Sequence, residues 1–120
     1  MLDAGRLARN RQWLESERQR LQDTLASLAP AMDASERPGL GSHMADSATE
    51  VFEQAKDLAM AQSLRRTLYL VEQALIRMER GAYGVCTSCG QMIDPARLKA
   101  SPHADLCMAC QTRLEQARLR

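Results

Sequence analysis

Four cysteines lie in the last third of the chain, and it contains no others. They are Cys86, Cys89, Cys107 and Cys110, which gives the spacing C-x2-C-x17-C-x2-C. A tight turn within each C-x2-C pair lets both sulfurs reach the same ion, and two pairs supply the four soft ligands that a tetrahedral Zn²⁺ ion prefers. The spacing therefore predicts one bound zinc ion.

The predicted zinc is structural, because four thiolates leave no coordination position for a reacting water. A reduced cluster without metal and a thioredoxin-like redox pair are the alternatives. The redox alternative lacks the β-α-β pattern that would be expected around Cys86 and Cys89. His103 lies between the two pairs and could replace a cysteine, but four thiolates already complete the tetrahedron.

Composition limits the classes of protein to which the chain can belong. A length of 120 residues predicts one domain, and the net charge of +1 predicts no general affinity for nucleic acid or membranes. Arginines interrupt any apolar run near the N-terminus, and no segment approaches the roughly 20 apolar residues of a membrane span. We therefore expect a cytoplasmic protein, in which reduced cysteines favour metal binding.

The elements that must position the cysteines are helical. Residues 2–29 predict a helix with a narrow leucine stripe at Leu7, Leu14, Leu21 and Leu28, which is typical of a coiled-coil seam. Pro30 is expected to end this helix, and residues 30–45 are rich in proline and glycine, which predicts a linker or tip.

A second helix is predicted over residues 46–80. Asp46 or Ser47 could cap its start, with Glu50 completing a capping box, and Gly81 is the expected C-cap. Its seam consists of apolar residues at alternating spacings of four and three: Leu64, Leu68, Val71, Leu75 and Met78. Upstream, Val51, Ala55 and Leu58 are expected to continue the seam after a stutter near residues 61–62.

These elements predict a mainly α fold: a long antiparallel coiled-coil hairpin with a small four-cysteine zinc finger and a short C-terminal helix. Residues 1–80 would form the hairpin, and residues 81–120 the finger, with the last helix at about 107–119. Asp94 and Pro95 predict one short helical turn between the cysteine pairs. The zinc would hold the finger to the hairpin and contribute folding free energy that a thin core lacks.

Residues 74–110 carry the pattern A-L-x-R-x-E-x-G-x-Y-G-x-C-x2-C-G-x2-I-x3-R-L-x-A-x-P-x-A-x2-C-x2-C. This pattern resembles that of the DksA/TraR family of C4 zinc-finger proteins. Upstream, H-x-A-D-x-x-T-E-x-F-E at residues 43–53 resembles one subgroup of that family. The resemblance implies a bacterial transcription regulator that binds RNA polymerase, with a hairpin that enters the secondary channel and an acidic tip near the active site.

The family tip pattern D-x-x-D-x-A corresponds here to His43, Asp46 and Ala48, so the second aspartate and the alanine are kept and the first aspartate is replaced. Glu50 adds a further carboxylate to the implied tip. The basic positions through which the family binds ppGpp correspond to Leu70, Ser101 and Gln111, none of which is basic. We therefore expect little direct coupling to ppGpp.

Other classes of function remain as alternatives. A zinc-stabilised coiled-coil adaptor with a different, non-polymerase partner would have the same elements. Sequence-specific DNA binding is disfavoured because no helix near the finger carries a row of base-reading side chains. An enzyme is not expected, because both histidines fall on predicted loops and no nucleophile–base set is present.

Overall fold

Four helices account for most of the chain in the computed structural model: α1 (Ala4–Asp33), α2 (Met44–Glu79), α3 (Pro95–Ala100) and α4 (Met108–Arg118). The structure describes residues 2–33 and 44–119, and the side chains of residues 2–28 and 48–119. Within these ranges the only β-type pairing is an isolated bridge between Val85 and Met92. The predicted fold class, mainly α with two long helices, a four-cysteine finger and a short C-terminal helix, is confirmed.

Each long helix extends beyond one of its predicted bounds: α1 at its C-terminal end and α2 at its N-terminal end. Helix α1 continues through Pro30 to Asp33, so the end predicted at Pro30 is wrong; a proline within a helix removes one hydrogen bond and crowds the preceding turn, which can kink the helix without ending it. Helix α2 begins at Met44, so Asp46 is its third residue rather than its cap, and the capping box predicted from Ser47 is wrong. The remaining tip, residues 34–43, lies outside the described residues.

The end of α2 follows the predicted glycine cap. Gly81 has a φ of 71°, and its N–H donates to the carbonyl of Met78 at 3.2 Å. The N–H of Ala82 donates to the carbonyl of Arg77 at 2.8 Å. These two bonds form a Schellman motif, which satisfies carbonyls at the helix end and turns the chain towards the cysteines.

The seam of α2 keeps a regular heptad spacing, and the predicted stutter is wrong. Ala61 and Val71 are fully buried, but Val51 and Leu58 are 63% and 45% exposed. Upstream of Ala61 the half-buried residues are Asp57 and Gln54, which continue the alternation of three and four. The geometric period therefore places polar residues on the seam and leaves the apolar residues exposed.

The chain divides into two compact units. One comprises residues 1–18 and 69–120, and the other comprises residues 19–68. Each unit contains part of both long helices. The predicted boundary after residue 80, between the hairpin and the finger, remains a prediction. No helix in the described part of the chain is long and apolar enough to cross a membrane.

The first unit, hereafter the finger unit, contains a small apolar core around the cysteines. Ile93 and Leu98 are its largest buried aliphatic side chains. Cys86, Cys110 and Ala104 complete the buried cluster. The half-buried ring of Tyr83 packs against the cluster, as does Leu2 from the segment before α1.

Candidate metal centre

The first cysteine pair lies on a tight turn closed by backbone hydrogen bonds. The N–H of Cys86 donates to the carbonyl of Gln91 at 2.8 Å, and the N–H of Gly90 donates to the carbonyl of Cys86 at 3.0 Å. Gly90 has a φ of 77°, a left-handed conformation that a side chain would strain. Gly90 therefore supplies the backbone conformation that closes the turn of the first pair.

The second pair begins the last helix. Cys107 is the N-cap of α4, and Cys110 is the third residue of that helix. The N–H and the hydroxyl of Thr87 both donate a hydrogen bond to the carbonyl of Asp105, at 2.9 Å and 3.1 Å respectively. They join the first turn to the segment that precedes the second pair.

The four sulfurs come together as the spacing predicts. All four Sγ atoms lie within 4.8 Å of one another, and those of Cys89 and Cys107 are 3.7 Å apart. A tetrahedral zinc with Zn–S bonds of about 2.3 Å requires sulfurs about 3.8 Å apart, so the cluster fits this ion. Cys86 and Cys110 are buried, whereas Cys89 is exposed, so the cluster lies at the edge of the small core.

The electrostatics of the cluster favour some thiolates and oppose others. The backbone N–H of Cys107 lowers the pKa of the Cys86 thiol to about 6, and the backbone N–H of Cys110 lowers the pKa of Cys107. The N–H of Gln91 also favours the Cys89 thiolate, but desolvation and the neighbouring thiols outweigh it and raise its pKa to about 11. Four clustered thiols ionise together only when a cation compensates their charge.

Two arginines near the cluster were not predicted as site residues. A guanidinium nitrogen of Arg113 lies 3.2 Å from the Sγ of Cys110, which places a charged donor on a metal-binding sulfur. The Nε of Arg97 donates to the carbonyl of Leu106 at 3.0 Å and so fixes the segment before Cys107. The spacing of Arg113, three residues after Cys110 on a helix, is the signal in the sequence that could have identified it.

Helix α1 is attached to the finger by contacts that its leucine pattern does not predict. The amide of Asn10 donates to the hydroxyl of Tyr83 at 3.0 Å, and that hydroxyl donates to the carbonyl of Pro102 at 2.8 Å. The rings of Trp13 and His103 stack, with centroids 6.3 Å apart and an interplanar angle of 16°. His103 is therefore half-buried against α1 rather than a histidine of a surface loop, and among the described residues the cluster that could hold a metal consists of the four cysteines.

The residues of the implied tip are described only in part. Ala48 and Glu50 are exposed in the first turns of α2. Asp46 belongs to the first turn of that helix, and its side chain lies outside the described residues, as does His43 entirely. The structure therefore brings the four cysteines together but does not test the tip.

Two long helices, a tetrathiolate cluster and a final short helix define a helical protein with a C4-type zinc finger. The family model for the prokaryotic dksA/traR C4-type zinc finger matches residues 81–116. The RNA polymerase-binding transcription factor DksA of Escherichia coli (strain K12) is 31% identical over 116 residues, which cover 95% of this chain and 74% of that protein. The chain belongs to the DksA/TraR family, and it contains one structural zinc site.

Other comparisons agree with this family. General stress protein 16O of Bacillus subtilis (strain 168) is 38% identical over 77 residues, or 64% of this chain and 47% of that protein. The solved structure of the transcription factor DksA2 from Pseudomonas aeruginosa is 29% identical, has a TM-score of 0.78, and covers 98% of this chain and 89% of its own. The chain spans about half the length of the first curated relatives that it matches.

Proposed function

We propose that this protein is a bacterial transcription regulator, without enzymatic activity, that acts in the cytoplasm by binding RNA polymerase. The observation that carries the proposal is the similarity to Escherichia coli DksA, an RNA polymerase-binding transcription factor, through 95% of this chain. The zinc, which we assign to Cys86, Cys89, Cys107 and Cys110, serves the function by fixing the finger unit.

Binding through the secondary channel is the finer proposal, with Asp46, Ala48, His43 and Glu50 presented near the active site. It is supported by the family tip pattern, in which Asp46 and Ala48 are kept. It is also supported by the exposure of Ala48 and Glu50, since a contact surface must be accessible in the free protein. Carboxylates at a tip are suited to an Mg²⁺-containing or basic site.

Co-purification with core RNA polymerase tests the partner. Purified protein is expected to be retained by immobilised polymerase and to be displaced by a second protein that occupies the same channel. Retention without displacement would place the binding site elsewhere on the polymerase. No retention would favour a coiled-coil adaptor with another partner, and a tight, salt-sensitive shift of duplex DNA would favour a DNA-binding protein.

The Asp46→Asn variant tests the tip. It removes one negative charge and keeps the side-chain shape, so binding to polymerase should stay within about twofold while the effect on run-off transcription is lost. Asp23→Asn, which removes an exposed carboxylate of α1 outside the implied tip, is the matched control and should behave as the unaltered protein. Full transcriptional activity of Asp46→Asn would show that the tip mechanism is wrong.

We further propose that the protein acts without direct coupling to ppGpp. Leu70, Ser101 and Gln111 are half-buried and uncharged, so they offer no cation for a phosphate. Adding the protein should therefore leave the affinity of polymerase for labelled ppGpp unchanged. An increase in that affinity would overturn this proposal and would leave the proposed binding to polymerase intact.

A further inference from the structure

A cleft of about 610 Å³ lies in the finger unit, between the first three turns of α1 and the short helix α3. This volume falls within the range typical of pockets that bind small molecules, so it could hold one or two side chains of a partner. Its lining consists of Leu2, Arg6, Arg9, Asn10, Trp13, Pro95, Ala96, Lys99 and Pro102. The four cysteines are absent from this lining, so the cleft is distinct from the metal centre.

The charge of the cleft has one sign. Arg6, Arg9 and Lys99 line it, and no acidic residue does. Arg6 has a surface ion pair with Asp3 at 3.7 Å. The side chains of Arg9 and Lys99 form no hydrogen bond or ion pair with any residue that the structure describes. Cations that converge on a concave surface without carboxylates create a positive potential that attracts an anionic group.

The rest of the cleft wall is mostly apolar, and several of its side chains are fixed by contacts. The indole of Trp13 is 41% exposed, and it is held in place by its stack on His103. Pro95 and Pro102 have rigid rings, and the amide of Asn10 is fixed by its bond to Tyr83. A simple inorganic anion would contact only the cationic side chains of the cleft. A peptide with acidic side chains beside an aliphatic or aromatic one would use both kinds of surface.

We propose that this cleft docks an acidic peptide segment of the protein partner. The inference rests on the proposed function, under which the partner is RNA polymerase. It adds a contact between the finger unit and the polymerase to the contact proposed for the tip. The charge of this contact is opposite to that of the implied tip.

The double variant Arg9→Glu with Lys99→Glu tests the proposal. We expect it to bind core polymerase about tenfold or more weakly, with a shallower dependence on salt, because attraction in the cleft becomes repulsion. Arg11→Glu with Arg18→Glu is the matched control: both arginines are exposed on α1, neither lines the cleft, and the net charge changes equally. Zinc content and thermal unfolding must match the unaltered protein in both variants.

The outcomes separate the two proposals. Weaker binding by the cleft variant alone supports the docking cleft. Equal binding by both variants and the unaltered protein rejects the cleft and leaves polymerase binding intact. Equal weakening by both variants would show a general charge effect and would also reject the cleft. Absence of binding by the unaltered protein would overturn both proposals.

Fluorescence provides a second test, because Trp13 is the only tryptophan in the chain. A blocked peptide of alternating glutamate and leucine should change the Trp13 emission of the unaltered protein, and the same peptide with glutamine for glutamate should not. The cleft variant should respond to neither peptide. If inorganic pyrophosphate changes the emission and the acidic peptide does not, the cleft is a small-anion site and the docking proposal is wrong.

Discussion

The contact between Arg113 and Cys110 is compatible with their spacing in the sequence, but that spacing does not by itself show which side chain meets the sulfur. A C-x2-C pair indicates which residues can bind a metal, because the spacing sets the reach of the two sulfurs. Which neighbour donates to a sulfur depends on the side-chain conformation and on where the helix begins. In this protein α4 begins at Met108, and a guanidinium nitrogen of Arg113 comes within 3.2 Å of Cys110.

The Arg113→Gln variant should bind zinc about 10-fold more weakly, because it loses a charged donor that stabilises the Cys110 thiolate. A competition titration against a chromophoric zinc chelator measures the change. Arg118→Gln is the control, since Arg118 is exposed in the last turn of the same helix. Equal affinities of the two variants would show that the contact with Cys110 has no effect on the metal.

Glycine positions with positive φ give a second residue-scale prediction. Gly81→Ala should destabilise the protein by about 1 kcal/mol, because Gly81 has a φ of 71° and an added Cβ would meet no atom within 4 Å. The loss is therefore purely conformational. Gly5→Ala, at an ordinary helical position, should instead stabilise it by about 0.5 kcal/mol. Chemical denaturation measures the change in unfolding free energy of both variants. An increase in the stability of Gly81→Ala would contradict the assignment of Gly81 as the cap of α2.

The apolar pattern of α2 predicts the buried face of the helix correctly in its C-terminal half and wrongly in its N-terminal half. The alternation from Leu64 to Met78 predicts the buried face correctly, because apolar residues occupy every position of the period there. Upstream of Ala61 the apolar residues no longer fall on that period. The prediction based on them wrongly assigned Val51 and Leu58 to the buried face. The backbone instead keeps its regular period, since a helix presents a face according to spacing and not according to residue type.

Asp57→Leu should therefore stabilise the protein by about 1 kcal/mol, because Asp57 is half-buried at a seam position and an apolar side chain there loses solvent contact. Leu58→Asn is the control and should change stability by less than about 0.5 kcal/mol, because Leu58 is outside the regular seam. Thermal unfolding of the two variants measures this. A destabilised Asp57→Leu would show that the carboxylate has a favourable partner.

The stack between α1 and the finger gives an expected dependence on pH. Burial lowers the pKa of His103, although Glu17 and Asp105 partly oppose the shift, and the buried Nδ1 has no hydrogen-bond partner among the described residues. The imidazole of His103 therefore binds a proton more readily in the unfolded chain than in the folded protein. Stability should fall as the pH drops below the ordinary histidine pKa of about 6.5, until the folded-state pKa is reached.

Comparison of the unaltered protein with His103→Asn isolates this effect. The unfolding temperature of the unaltered protein should fall more between about pH 7.5 and about pH 5.5 than that of the variant, since this range spans the ordinary histidine pKa. Loss of zinc in acid affects both proteins, so the difference between them reports His103. Identical pH dependences would show that the imidazole does not titrate on unfolding.

Zinc is expected to stabilise the part of the finger unit around the cysteines, where the apolar core is small. Ile93 and Leu98 are the large, fully buried aliphatic side chains of that cluster, whereas Leu14 and Val71 are buried elsewhere in the unit. Composition favours this expectation, since aromatic residues make up only 3% of the chain. It could not predict the contacts from Asn10 and Trp13, which join residues distant in sequence.

Removal of zinc with a strong chelator should therefore unfold the finger unit and abolish retention by polymerase. The Trp13 emission should shift to longer wavelength, because the indole loses its stack on His103 and becomes solvated. Adding Zn²⁺ back should restore both signals, and adding Mg²⁺ should not. An unchanged emission spectrum in the metal-free protein would show that the thiol cluster does not support this unit.

The division of both long helices between two units has a practical consequence for preparing shorter forms of this protein. A fragment cut at residue 81 would keep all four cysteines, yet it would lose the Asn10 amide that donates to the Tyr83 hydroxyl and the Trp13 indole that stacks on His103. We expect such a piece to take up metal and still expose surfaces that the intact chain covers. Joining residues 1–18 to 69–120 through a short linker would recreate the missing neighbours.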